Sequence, residues 1–258
     1  MHAPLELADV TADVLARIKA RAPRVHCITN TVAQAYTANV LLAAGAVPSM
    51  TISPEEIAAF AGGADALLVN LGTFDAERRA AIDLALGAVG QGGQGPKPWV
   101  LDPVFIERSP ARAELARALL GRGPTVVRLN AREFAALADE EAGGDAVARL
   151  AAARKVVVAL TGEVDRVSDG TRAARIANGD ALMGLVTGMG CAGSALVAAA
   201  LIVEKDAFIA TIAALVALGV AGEVAAEGAS APGRFASWII DALYNLDRAT
   251  LRARTRVS

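Results

Sequence analysis

Apolar residues recur along the chain with two different periods. In residues 5–22, Leu5, Val14, Leu15 and Ile18 fall near the 3.6-residue spacing of a helix face. RVHCIT, residues 24–29, is a short apolar run between Pro23 and Asn30, which predicts a buried strand. A helix over roughly 31–44 should follow, with Gly45 suited to its end, then a short strand at 46–50, AVPSM. SPEEIAAF, residues 53–60, opens like a helix. Ser53 can cap it, Pro54 fits the first helical position, and Glu55 and Glu56 face the positive end of the dipole. Further runs predict strands at 64–70, 99–103, 125–130 and 155–162, and helices at 75–89, 110–120, 131–138 and 143–153. QGGQGPKP, residues 91–98, reads as a loop. DRVSDGTRAARI, residues 165–176, reads as a hairpin turning at Asp169-Gly170, and the rest as helix and loops.

Strands therefore alternate with helices from about residue 24 to 160, and the strands are continuous apolar runs. That pattern predicts an α/β fold with a mostly parallel central sheet covered by helices on both faces. No composition break or internal repeat divides the 258 residues, so 1–258 is expected to be one domain.

Composition sharpens this picture. With 54% hydrophobic residues but only 4% aromatic, the core must be built from Ala, Val, Leu and Ile. Lys+Arg 25 against Asp+Glu 27 leaves no basic surplus for nucleic acid. Two cysteines, Cys27 and Cys191, make no disulfide framework and suit a reducing compartment. MHAPLELADVTADVLARIKA lacks the apolar stretch of a secretory signal, so the cytoplasm is the expected location. The uncharged run 182–203 is long enough for a membrane span. Glycines crowd its first half, and a second alanine-rich run, 207–222, follows almost at once. Two helices packed inside a soluble fold are the expectation, with no membrane span.

In an open parallel sheet, ligands bind at the carboxyl ends of the strands. Those ends carry Asn30, Met50, Asn70-Leu71-Gly72-Thr73, Asp102-Pro103, Arg128 with Asn130 and Glu133, and Thr161-Gly162-Glu163. His2 and His26 lack metal-ligand spacing. TGMGCAG, residues 187–193, fits an anion hole: glycines admit a phosphate, and the free N–H groups of a helix's first turn point at it. The same dipole is expected to lower the pKa of a thiol at Cys191. Close helix packing around a small buried cysteine would give the same letters.

Taken in series, VHCITNTVAQAYTANVLLAAGAVPSM, NLGT, LDPV, RLNAREF, LTGEVD and VTGMGC resemble hydroxyethylthiazole kinase, a thiamine-salvage family of the ribokinase-like superfamily, over about residues 5–225. The resemblance implies a ribokinase-like three-layer α/β/α fold and a homotrimer with sites at subunit interfaces. It also implies ATP- and Mg2+-dependent phosphorylation of the hydroxyl of 4-methyl-5-(2-hydroxyethyl)thiazole. Cys191 matches a family cysteine that stands where most of the superfamily carries an aspartate base. Met50 matches a thiazole-contacting methionine, and Gly188 a substrate- and phosphate-adjacent glycine. Asn30 is assigned to the thiazole pocket, with an N-cap for the next helix as its plainer reading. Arg128 and Thr161 match ATP-contacting residues. Asn130 and Glu133 match an N-x-x-E motif whose acid organises magnesium through water, although the same pair reads as a helix capping box. Asp102 matches a strand-end acid near metal and phosphates, or a turn-forming Asp-Pro.

Two departures bear on the site. After LDPV the family continues with glycine and small residues, whereas FIERSPAR stands here, so Phe105 and Ile106 are expected to crowd the place of phosphate. Leu129 replaces a glycine after Arg128 and is expected to reshape the nucleotide or acceptor side. Two other readings therefore stay open: a kinase for a related small heterocyclic alcohol, and a non-catalytic binder of nucleotide or thiazole.

Overall fold

Each sheet strand sends alternate side chains to opposite faces, and two cores form as a result. The computed structural model describes residues 4–90, 97–143 and 145–258. Its strands are β1 (Arg24–Ile28), β2 (Val47–Ser49), β3 (Ala66–Asn70), β4 (Trp99–Asp102), β5 (Val126–Asn130), β6 (Val157–Thr161), β7 (Asp165–Ser168) and β8 (Ala173–Ile176). They make one sheet in the order β2-β1-β3-β4-β5-β6-β7-β8. The pairs from β2 to β6 are parallel, while β6–β7 and β7–β8 are antiparallel. The hairpin anticipated at 165–176 supplies that antiparallel edge.

On one face, Ala66 and Leu68 of β3 meet α1 (Pro4–Arg21), α2 (Gln34–Ala44), α8 (Met189–Val203), α9 (Ala207–Gly228), α10 (Pro232–Asn245) and α11 (Arg248–Arg254). On the other, Leu67 and Val69 meet α3 (Ile57–Gly63), α4 (Ala76–Gly90), α5 (Pro110–Leu120), α6 (Ala131–Ala138) and α7 (Ala146–Arg154). The result is three layers, with aliphatic residues filling both interfaces.

Several sequence-based expectations need correction. Leu5 is exposed, whereas Leu7, Val14, Leu15 and Ile18 are buried. Leu5 and Val14 differ by about two and a half helical turns and so fall on opposite sides. The segment 53–56 is a turn, and helix begins only at Ile57. Ser53 still anchors it: its carbonyl accepts from the Glu56 and Ile57 N–H groups and its Oγ from Glu55 N–H. Residues 177–188 are not regular helix; they form a loop holding a 3-10 turn at Ala181–Leu185. The uncharged run 182–203 thus breaks before Met189. Residues 91–96 of the anticipated loop, and His2, lie outside the described residues.

Among the described residues one helix, α9, is long and apolar enough to cross a membrane, and 83% of its apolar stretch is buried within the fold. Cys27 packs fully buried in the first core. His26 is also buried. Its Nε2 lies 3.1 Å from the Thr51 carbonyl, which can only accept, so Nε2 carries the proton and Nδ1 accepts from Ser49 Oγ at 2.8 Å. Burial holds its pKa down at about 4, so the ring is neutral and brackets Met50 from both sides.

Candidate functional site

The carboxyl ends of the parallel strands and the first turn of α8 enclose a cavity of about 1310 Å³. Asn30, Arg128, Asn130, Thr161, Gly188 and Cys191 all stand on its wall. Asp102 and Glu133 lie behind that wall, hydrogen-bonded to residues close to it. Met50 is not on it: it packs, half-buried, against the first core.

The helix start is built by glycine. Gly188 adopts a left-handed conformation, φ 85°, immediately before α8, and no side chain caps the helix. A Cβ on Gly188 would lie 3.1 Å from the Ala33 Cβ, so the site also requires a residue without a side chain. The first-turn N–H groups of Gly190 and Cys191 have no partner one turn back within the helix.

A chain of amides links sulfur to carboxylate. Asp102, buried at the end of β4, accepts through Oδ2 from Asn70 Nδ2 and Ser194 Oγ, each at 2.8 Å. That bond fixes the Asn70 amide, whose Oδ1 accepts from Gly72 N–H at 3.0 Å and Asn30 Nδ2 at 3.3 Å. Asn30 Nδ2 also donates to Cys191 Sγ at 3.1 Å. A Cβ on Gly72 would come within 2.6 Å of Asn30 Nδ2, so glycine is needed for the two amides to meet. Asn30 is therefore not a helix cap. Its side chain is committed to Asn70 and Cys191, and α2 starts only at Gln34 without a side-chain cap.

The thiol contradicts the helix-dipole expectation. Burial, and then the negative charge of Asp102, push Cys191 up to about 11. Burial of the thiolate outweighs the hydrogen bonds from Asn70 and Asn30 and the positive charge of Arg128. Burial likewise raises Asp102, opposed by the positive charge of Arg128 and by the Ser194 and Asn70 hydrogen bonds.

Arg128 sits in the middle of β5 rather than at its end. Its Nη1 donates to the Gly190 carbonyl at 2.9 Å, and its Nε is buried without a partner. Gly190 and Gly193 make room for the guanidinium, each with a would-be Cβ 3.4 Å from one of its nitrogens. The charge of Arg128 also acts on Asp165, which burial otherwise drives upward.

Asn130 and Glu133 form the capping box of α6. Asn130 Oδ1 accepts from Arg132 and Glu133 N–H, and Glu133 Oε2 accepts from Asn130 N–H at 2.8 Å. The other oxygen, Oε1, accepts from Phe105 N–H at 3.0 Å. Burial first, then the charge of Asp102, push Glu133 up to about 7. A carboxyl whose folded pKa exceeds its unfolded one stabilises the fold fully below the unfolded pKa, and loses that contribution as pH rises through the folded value. Between pH 4.5 and 7 the metal-free protein should lose about 3 kcal/mol from this group. Thermal unfolding across that range, wild type against Glu133→Gln, checks it: the variant should lack this component of the slope.

Of the residues in the two departures, Phe105 stands on the cavity as expected, while Ile106 and Leu129 do not. Phe105 takes a left-handed backbone, φ 58°, and stands half exposed on the cavity wall. Ile106 turns into the second core and crowds nothing. Leu129 is buried on the face opposite Arg128, so it does not reshape the cavity; its carbonyl accepts from Thr161 Oγ1 at 3.4 Å.

Sequence reasoning assigned no role to Asn70, Ser194, Asp165 or the wall at 177–186. Asn70 stood at a strand's carboxyl end, and Ser194 lies three residues past Cys191 on the same helix face, which are the signals that could have found them.

Comparison with known proteins identifies the family and the fold. The model of the hydroxyethylthiazole kinase family matches residues 15–249. A hydroxyethylthiazole kinase of Rhizobium etli (strain CIAT 652) is 45% identical, covering 95% of this chain and 99% of its own. A probable hydroxyethylthiazole kinase of Agrobacterium fabrum is 42% identical over 100% of this chain and 98% of its own. The solved hydroxyethylthiazole kinase of Pyrococcus horikoshii OT3 superposes with a TM-score of 0.91 at 37% identity, over 97% of this chain and 98% of that one. A pyridoxal kinase from Staphylococcus aureus, solved with AMP-PCP and pyridoxal, shares the fold at a TM-score of 0.61 and 17% identity, covering 78% of this chain and 88% of that one. With its ribokinase-like three-layer fold, this chain belongs to the hydroxyethylthiazole kinase family.

Proposed function

We propose that the protein transfers the γ-phosphoryl group of ATP to the hydroxyl of 4-methyl-5-(2-hydroxyethyl)thiazole, as a single-domain cytoplasmic enzyme. The observation that carries this reading is one cavity joining the uncapped start of α8 and Arg128 to the Asn30–Cys191 wall. Under it, the N–H groups opening α8 receive the migrating phosphoryl oxygens. Arg128 and Thr161 hold the ATP phosphates, with Asn130 at their side, while Asn30, Gly188 and Met50 serve the acceptor. Met50 stands off the cavity of its own chain, so under this reading it meets an acceptor only if sites are shared between the subunits of a homotrimer.

Magnesium would neutralise the phosphate charge. Asp102 and Glu133 are the carboxyls that would hold it: burial raises both, and the charge of Asp102 raises Glu133 further, a repulsion that a divalent cation would relieve. Both Glu133 oxygens already accept backbone N–H groups, which suits contact through metal-bound water.

In the transfer, the acceptor oxygen bonds to the γ-phosphorus as the bond to the ADP oxygen breaks. Cys191 takes the hydroxyl proton only as a thiolate, a minor form near neutrality for a thiol at about 11. Positioning and charge stabilisation thus contribute more than proton transfer. Wild-type kcat should rise from pH 7 to 9 as thiolate forms. Cys191→Ala should be roughly tenfold slower and lack that rise; an equal rate would remove the thiol from the chemistry.

ADP release from magnesium-ATP, with and without the thiazole alcohol, tests the whole reading. Release only with another heterocyclic alcohol, which Phe105 on the wall favours as the second reading, would change the substrate. ATP binding without release would make the chain a binder.

A further inference from the structure

Between β8 and α8 the chain runs along the cavity at residues 177–184, held from behind by glycines of α9. A Cβ on Gly219 would come within 2.8 Å of Asn178, and one on Gly222 within 2.6 Å of Met183 Sδ. The wall is also gripped from outside by residues 254–258. Ile176 bridges to Val257, and Arg175 and Ser258 exchange two backbone hydrogen bonds. Ala177 N–H donates to the Arg256 carbonyl at 2.9 Å. Asn178, itself buried, donates to the Arg254 carbonyl at 2.7 Å and accepts from Arg256 N–H at 2.8 Å.

Glu223, on α9, is the hub. Its Oε1 accepts from Asn178 Nδ2 at 2.9 Å, Gly179 N–H at 3.0 Å and Arg256 Nη2 at 2.7 Å. The same Arg256 nitrogen donates to the Ala177 carbonyl at 2.7 Å. One carboxylate and one guanidinium thus define three consecutive residues of the wall, a charge-assisted network in which each donor has a named acceptor. Strand order puts this wall beyond β6, the strand ending in Thr161, and away from β1, which leads to Asn30.

From this we infer that Glu223 and Arg256, neither of them on the cavity wall, are positioning residues for the nucleotide, holding residues 177–179 in the shape ATP meets. The inference rests on the nucleotide side of the proposed function. Titration calorimetry of ATP needs no acceptor, so it reads this inference even if the thiazole alcohol is the wrong substrate; ADP release by the wild type tests the function separately. Arg256→Ala should raise the ATP Kd and KM roughly tenfold while kcat and the acceptor KM stay within about twofold. Arg256→Lys, keeping the charge but not the fork, should recover part of the loss. Glu223→Gln, which keeps an acceptor oxygen for Asn178 and Gly179, should fall between wild type and Arg256→Ala. An ATP Kd for Arg256→Ala within about twofold of wild type would overturn the inference. So would a comparable fall in kcat accompanied by a rise in both KM values, the mark of general loosening.

Discussion

Arg128→Ala should lower kcat/KM for ATP about a hundredfold, the order expected when charge-assisted hydrogen bonds to phosphate are lost. The guanidinium is held ready for an anion: one nitrogen donates to the Gly190 carbonyl, Nε is buried unpaired, and two glycines of α8 leave room for it. It is also a positive charge acting on both Asp102 and Asp165, so its removal drives both carboxyls further up and weakens any cation site beside them. Arg128→Lys should recover only part of the rate, because lysine supplies the charge without the planar fork. Steady-state kinetics with ATP varied at saturating acceptor give the measurement. Unchanged kinetics in the alanine variant would exclude Arg128 from the nucleotide site.

Gly188→Ala should reduce kcat by a similar factor while costing only about 1–3 kcal/mol of stability. Two effects coincide at this residue. A left-handed conformation costs about 1 kcal/mol for an L-residue with a side chain, and the new methyl would press on Ala33 at 3.1 Å. The helix start must then shift, carrying the Gly190 and Cys191 amides and the Cys191 sulfur with it. Gly87→Ala is the control. Its Cβ meets nothing within 4 Å and it lies inside α4, so kcat should hold and stability should rise slightly. A Gly188→Ala enzyme with wild-type kcat would detach the geometry of this turn from the reaction.

What the sequence disclosed follows from locality. The alternation of buried strands and helices, the capping box at Asn130 and Glu133, and the glycine turn before Met189 depend on neighbours a few residues apart. The Asn30–Asn70–Asp102 chain does not: its members are 40 and 32 residues apart and meet only because β1, β3 and β4 are adjacent. The thiol was misjudged for a related reason. A helix end is visible in the letters TGMGC, but the desolvation that dominates Cys191 depends on what packs over it. The wall at 177–179 was missed because its fixing partners, Glu223 and Arg256, lie far along the chain. Leu129 was misjudged because strand alternation sends it to the far side of the sheet from Arg128.

The state of the two sulfurs has a consequence for the protein's durability. Cys27 is pushed up to about 12 by burial alone, and Cys191 to about 11. Peroxides and alkylating reagents attack the anion, not the protonated sulfur. A cysteine that the motif would mark as reactive is thus held protonated by its own surroundings, and in the ligand-free enzyme Cys191 should react slowly with peroxide and alkylating reagents at neutral pH.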